Sequence, residues 1–173
     1  LGTVGALLLG TVHSAAFLFF AVYAAAEMNF SILEISIVTF LLTISGAIAQ
    51  YPIGYISDKF DRRKVIVFTT FGAAFFALLL IFSSGTMYLP QGLGSSKIWF
   101  YFFVVLFSFC SLPLFSLILA HTNDYITKDK FVAAGASLQF AFGFGAMSGP
   151  FLCSIFMNLV GNNGFFIFII IFH

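Results

Sequence analysis

Gly54-Tyr55-Ile56-Ser57-Asp58-Lys59-Phe60-Asp61-Arg62-Arg63-Lys64 is the one dense cluster of charge in the chain, and it lies between two long apolar runs. So short a polar stretch between such runs reads as a tight hinge joining two membrane helices. The rest of the sequence agrees. Of 173 residues 61% are hydrophobic and 8% charged, and the mean hydropathy is +1.11. A soluble domain carries about 25% charged residues, so the composition excludes that class and points to an integral membrane protein.

A membrane-spanning helix needs roughly 20 mainly apolar residues. The chain offers five such stretches, at about 1–26, 32–53, 65–87, 98–120 and 131–158, and a sixth run over 164–173. With Leu1 at one end and an apolar run still open at His173, the expectation is a fragment whose sixth helix is truncated. The first run is too long for a cleavable signal peptide and lacks a charged leader, so it is expected to stay as a helix. Lys59, Arg62, Arg63, Lys64, Lys128 and Lys130 fall in the second and fourth connections, against Lys97 alone in the other set. The positive-inside rule makes those two connections cytoplasmic. Glu27, Glu34, Gly94 and Asn162 then belong to the outer face.

The charged stretch also has a spacing: Gly54, Asp58 four residues on, Lys59 directly after it, then the pair Arg62-Arg63. This resembles the loop signature of the major facilitator superfamily, G-x-x-x-D-[RK]-x-G-R-[RK]. Asp61 stands where that family usually has glycine, and aspartate is among the residues that best tolerate a left-handed backbone. The resemblance implies an all-α membrane protein, a six-helix half built as a 3+3 inverted repeat of a 12-helix facilitator fold. The family's first half usually carries an arginine in its fourth helix, whereas Trp99 to Ala120 contains no charge. Gln50-Tyr51-Pro52-Ile53-Gly54, Pro113-Leu114-Phe115-Ser116, Ala120-His121-Thr122-Asn123-Asp124 and Phe131-Val132-Ala133-Ala134 also look like the second half of YcaD-like facilitators. Residues 1–173 are therefore expected to form the C-terminal bundle, helices seven to eleven and the start of the twelfth. The partner would be the N-terminal half of the same protein.

Gly54 lacks a side chain and Asp58 lies one turn along the same helix face, which suits close approach by a helix of the other half. A carboxylate there can cap the positive end of that helix, a contact worth roughly 0.3–1 kcal/mol exposed and up to about 2 kcal/mol when partly buried. Lys59, Arg62 and Arg63 are expected to tether Asp58. In the resembled family this latch favours the outward-open state. The competing reading is that the basic residues set topology and bind anionic lipid.

The helices differ in polarity. The third and the truncated sixth are nearly all apolar, as expected of helices facing lipid, and the 27 phenylalanines read as bulk filling rather than substrate stacking. The first carries Thr11, His13, Ser14 and Tyr23, the fourth Ser108, Cys110, Ser111, Pro113 and Ser116. Polar groups in hydrocarbon need protein or water beside them, and in the resembled fold these two helices line the central cavity. His13 is the candidate proton or substrate group, since an imidazole titrates near pH 6.5; the alternative is a neutral histidine bonded to a neighbouring hydroxyl. Gln50 and Gln139 are candidates for substrate binding or for bonds between helices. Gly145-x-x-x-Gly149-Pro150 resembles the G-x-x-x-G-P element of proton-driven antiporters, here in the pseudosymmetric helix, and reads as a packing and bending device.

Other features are structural. Ser31 to Glu34 fits a capping box. Cys110 and Cys153 lack metal or redox spacing. His121, Asn123 and Asp124 read as helix termination and a loop contact rather than a metal site. With no phosphate-binding loop, nucleophile–base pair or metal set, the sequence points to no enzyme, no cofactor, no metal and no nucleic-acid partner. It points to secondary active transport of a small solute by alternating access, with proton coupling, in a bacterial cytoplasmic (inner) membrane. The alternative is a non-transporting membrane scaffold or sensor.

Overall fold

The computed structural model describes residues 2–83 and 96–173; Gly94, expected on the outer face, lies outside them. The described residues form α1 (Gly2–Met28), α2 (Ile32–Lys59), α3 (Arg62–Ser83), α4 (Ser96–Ser111), α5 (Leu114–Asn123), a 3-10 turn (Lys128–Lys130), α6 (Phe131–Val160) and α7 (Gly164–Phe172). Among the described residues five stretches are long and apolar enough to cross a membrane: Gly2–Met28, Ile32–Lys59, Arg62–Ser83, Lys97–Asn123 and Lys128–Val160. The chain is an integral, multi-pass, all-α protein.

Local chemistry sets where the helices stop. Asn29 takes a left-handed φ of 49° after α1, a conformation asparagine tolerates, and the amide of Phe30 then reaches the carbonyl of Ala24 at 3.1 Å. The Ser31 hydroxyl accepts the Glu34 amide at 3.3 Å while the Glu34 carboxylate accepts the Ser31 amide at 2.8 Å, so the capping box is present. Gly161, with φ 83°, ends α6.

Two features depart from the sequence reading. The stretch expected as one helix over 98–120 is broken at Leu112 and Pro113, because proline has no amide to give the carbonyl of Phe109. Pro52 and Pro150, by contrast, sit inside unbroken helices. The hinge after α2 is also shorter than expected, since α2 runs through Asp58 and Lys59 and only Phe60 and Asp61 separate it from α3. Asp61 is not left-handed, because Asn29 is the sole non-glycine with positive φ among the described residues. It acts as a helix cap instead. Its carboxylate accepts the Arg63 amide at 3.0 Å, and its carbonyl accepts those of Lys64 and Val65.

Apolar helices gain little by leaving lipid for one another, so close van der Waals packing has to hold the bundle. It does so most tightly between α1 and α6. A Cβ at Gly10 would run into the carbonyl of Phe142, one at Gly145 into that of Leu7, and one at Gly149 into that of Thr11 and the Ser14 hydroxyl. Around this seam one face of α1 is enclosed from end to end, with Ala6, Val12, Ala15, Tyr23 and Ala24 fully buried, while Val4, Leu18 and Val22 stay exposed on the other. α3 presents Phe68, Phe71, Phe75 and Phe82 outward, as a lipid-facing helix should. α7 does not: Phe165, Phe166, Phe168 and Ile169 are fully buried. Phe165 meets Phe20 edge-on at 5.1 Å and Phe166 meets Tyr23 at 4.7 Å. Lipid and protein interior are equally apolar, so composition could not tell the two situations apart.

Candidate functional site

The α2–α3 junction carries the densest polar network. Arg62 bonds Asp58 Oδ1 at 2.9 Å, Asp124 Oδ2 at 2.9 Å and the Ser57 hydroxyl at 3.2 Å. It thus ties the last turn of α2 to the end of α5. Ser57 in turn donates to the Gly54 carbonyl at 2.9 Å. Of the three basic residues expected to tether Asp58, only Arg62 reaches it. Lys59 lies over the Tyr55 ring, 4.3 Å from its centroid, and Arg63 donates to the Tyr125 hydroxyl. The tight connection explains the choice: the chain reverses at the extended Phe60, and Arg62, the first residue of α3, is brought back against the carboxylate at the end of α2.

Asp58 remains 68% exposed at its side chain, and nothing lies within 4 Å of the space a Cβ at Gly54 would fill. Gly54 and Asp58 therefore share an open face of α2, flanked by the exposed rings of Tyr51 and Tyr55. Exposed ion pairs contribute about 0–1 kcal/mol each, so this junction holds its arrangement weakly.

His13 sits in the middle of α1, buried, with Nε2 3.1 Å from the Ser111 hydroxyl at the end of α4. That is the geometry of the bonded-histidine alternative. It links α1 to the last turn before the Pro113 break. The same break is pinned to α2, where the Ser108 hydroxyl donates to the Leu42 carbonyl and Leu112 packs on Gly46. Within this chain Thr11 and His13 face the interior of the bundle rather than an open cavity. His173 stands 6.4 Å from His13, ring to ring, and both its nitrogens are buried without a partner among the described residues. It lines a mainly apolar cleft of about 470 Å³ with Gly5, Leu9, Arg63, Ile118 and His121.

The remaining candidates are dispersed. Gln50 and Gln139 are exposed on α2 and α6, away from His13. Gly145 and Gly149 lie in the α1 seam, while α6 continues through Pro150. At the opposite end of the bundle from Arg62, Lys97 pairs with Glu34 at 2.6 Å, Tyr23 donates to Asn163 at 3.0 Å and Asn162 bonds Glu27. No group of three or more metal-ligating side chains forms among the described residues.

Sequence reasoning singled out neither Asp124 nor Tyr125 as a partner of the basic cluster, and it did not pair Ser111 with His13. One signal was available for Asp124: an acid closing the fourth helix shares the end of the molecule that holds the arginines. Nothing in the sequence marked Ser111 above the other hydroxyls of its helix.

Comparison with known proteins adds the family. The model of the Major Facilitator Superfamily matches residues 2–173. The chain is also 25% identical over 129 residues to the "Uncharacterized MFS-type transporter YE1530" of Yersinia enterocolitica, a stretch covering 75% of this chain and 30% of that relative. No solved structure matches.

Proposed function

We propose that this chain, which belongs to the Major Facilitator Superfamily, is the C-terminal bundle of a secondary transporter that moves a small solute by rocking two helical halves. Arg62, held between Asp58 and Asp124 beside the open Gly54 face, is the observation that carries this reading. A rocking device needs a contact that is specific yet weak enough to break in each cycle. A shared arginine with two partly exposed carboxylates has that property. Asp58 keeps a free edge for a helix end of the other half, and Lys59, Arg62 and Arg63 sit at the cytoplasmic headgroups. The cycle makes and breaks no covalent bond.

Transport is coupled to protons in this reading, with His13 as the candidate in this half to exchange one when the cycle opens its bond to Ser111. Gln50 and Gln139, exposed on α2 and α6, then belong to faces turned towards the N-terminal half. The membrane is the bacterial cytoplasmic membrane. Uptake and efflux profiling of the full-length protein over a compound panel, with and without a proton gradient, tests the reading. Gradient-dependent flux of at least one compound is expected. No flux for any compound, from protein that is folded and inserted, favours the scaffold or sensor instead. Orientation is checked separately with Asp129→Cys and Val160→Cys, at the two ends of α6. In intact cells an impermeant thiol reagent should label position 160 and spare position 129.

A further inference from the structure

The start of α3 carries more positive charge than the junction uses. Arg62 is engaged by two carboxylates and Arg63 gives one N–H to Tyr125. Lys64 has no side-chain hydrogen bond or ion pair among the described residues. Arg63 and Lys64 stand at one end of a shallow groove of about 340 Å³, whose remaining lining is Val67, Phe68 and Phe71. Lys64, Phe68 and Phe71 follow at i, i+4 and i+7, so they share one face of the helix. Phe68 is 81% exposed and Phe71 72%. No acidic side chain lines the groove, and Asp61 is turned to the backbone as the cap of α3.

We propose that this groove binds one anionic diacyl phospholipid of the adjoining leaflet. Its phosphate sits between Lys64 and Arg63, and an acyl chain lies along Val67, Phe68 and Phe71. A cationic pair above an exposed apolar stripe matches the two ends of such a molecule, and both side chains are good phosphate partners. Zwitterionic lipid fits less well, because its ammonium group would lie beside Lys64 with no carboxylate to receive it. Soluble phosphate would gain nothing from the phenylalanines. The guanidinium of Arg63 touches both the groove and Tyr125, so a bound lipid braces the connection between α5 and α6. The site needs the chain to lie in a bilayer but does not depend on its being a transporter.

The test is native mass spectrometry of the full-length protein, titrated with phosphatidylglycerol and with phosphatidylcholine of the same chains. Phosphatidylglycerol should bind more tightly, and Lys64→Gln should weaken it about fivefold, the effect of one basic residue at an anionic surface. Phe68→Ser with Phe71→Ser should weaken both lipids. Lys64 is at the surface, so its variant keeps the fold, which size-exclusion chromatography verifies. Equal affinity for the two lipids, no change in Lys64→Gln, or displacement by inorganic phosphate alone would each overturn the proposal. Orientation and transport assays are separate measurements, so failure here leaves them untouched.

Discussion

Along the α1–α6 seam backbone meets backbone, with Gly10, Gly145 and Gly149 each against a carbonyl of the facing helix. At the α2–α3 junction long charged side chains reach across a partly exposed gap, and Arg62 alone holds Asp58 and Asp124. The first contact has no slack, because any added atom must displace a helix axis. The second can be broken and remade by turning a few side-chain bonds. Members of one bundle that differ in this way suit different tasks: in the proposed cycle the seam keeps the half rigid, and the junction is where its state changes.

The largest effect should come from trying to loosen the seam. Gly145→Leu drives a side chain into the Leu7 carbonyl, and the cost should exceed the usual overpacking range of about 1–3 kcal/mol because backbone has to move. Little monodisperse full-length protein should survive purification, and thermal unfolding of the remainder should start far lower. Gly143→Leu, at an α6 position with nothing within 4 Å, is the control and should be mild. Equal damage from both would mean that the seam is not special.

Gly54→Leu separates stability from function. The position is open within this chain, so stability should change by less than about 0.5 kcal/mol, as at other surface sites. Transport should nonetheless fall, since a helix of the other half docks there in the proposed cycle. Normal transport by this variant would remove Gly54 from the latch.

A smaller effect is expected at His13, which borders the seam through the Phe142 ring and ties α1 to the α4–α5 break through Ser111. His13→Ala removes one hydrogen bond, worth about 1 kcal/mol, and should weaken transport and change how transport depends on pH. His13→Gln keeps hydrogen bonding without proton exchange. Restored transport without the pH response marks a proton site, and restoration of both marks a hydrogen-bonding residue only.

The architecture was legible because membrane helices announce themselves by length and hydropathy, and the charged stretch from Gly54 to Lys64 placed one boundary among them. The capping box was legible too, since Ser31 and Glu34 act over three residues. What could not be read was pairing across the bundle. Arg62 finds Asp124 over 62 positions and His13 finds Ser111 over 98, and no local pattern encodes either contact. The break at Pro113 was hidden because proline has two outcomes in membrane helices: Pro150 is carried without interruption, whereas Pro113 is not. α7 was misplaced for a plainer reason, as hydropathy cannot separate a lipid face from a packed interior.

The central claim is that the junction, and not the seam, changes state. It is tested most directly by Asp58→Asn in the full-length protein, followed by transport assay and by thiol labelling of a cysteine at Phe60 from the cytoplasmic side. Removing the charge leaves the side-chain shape and, at an exposed pair, costs about 1 kcal/mol or less, so expression should stay near normal. Transport should fall and labelling at position 60 should rise, as the latched state loses population. Unchanged transport and unchanged labelling would reduce the cluster to a topology signal and contradict the account.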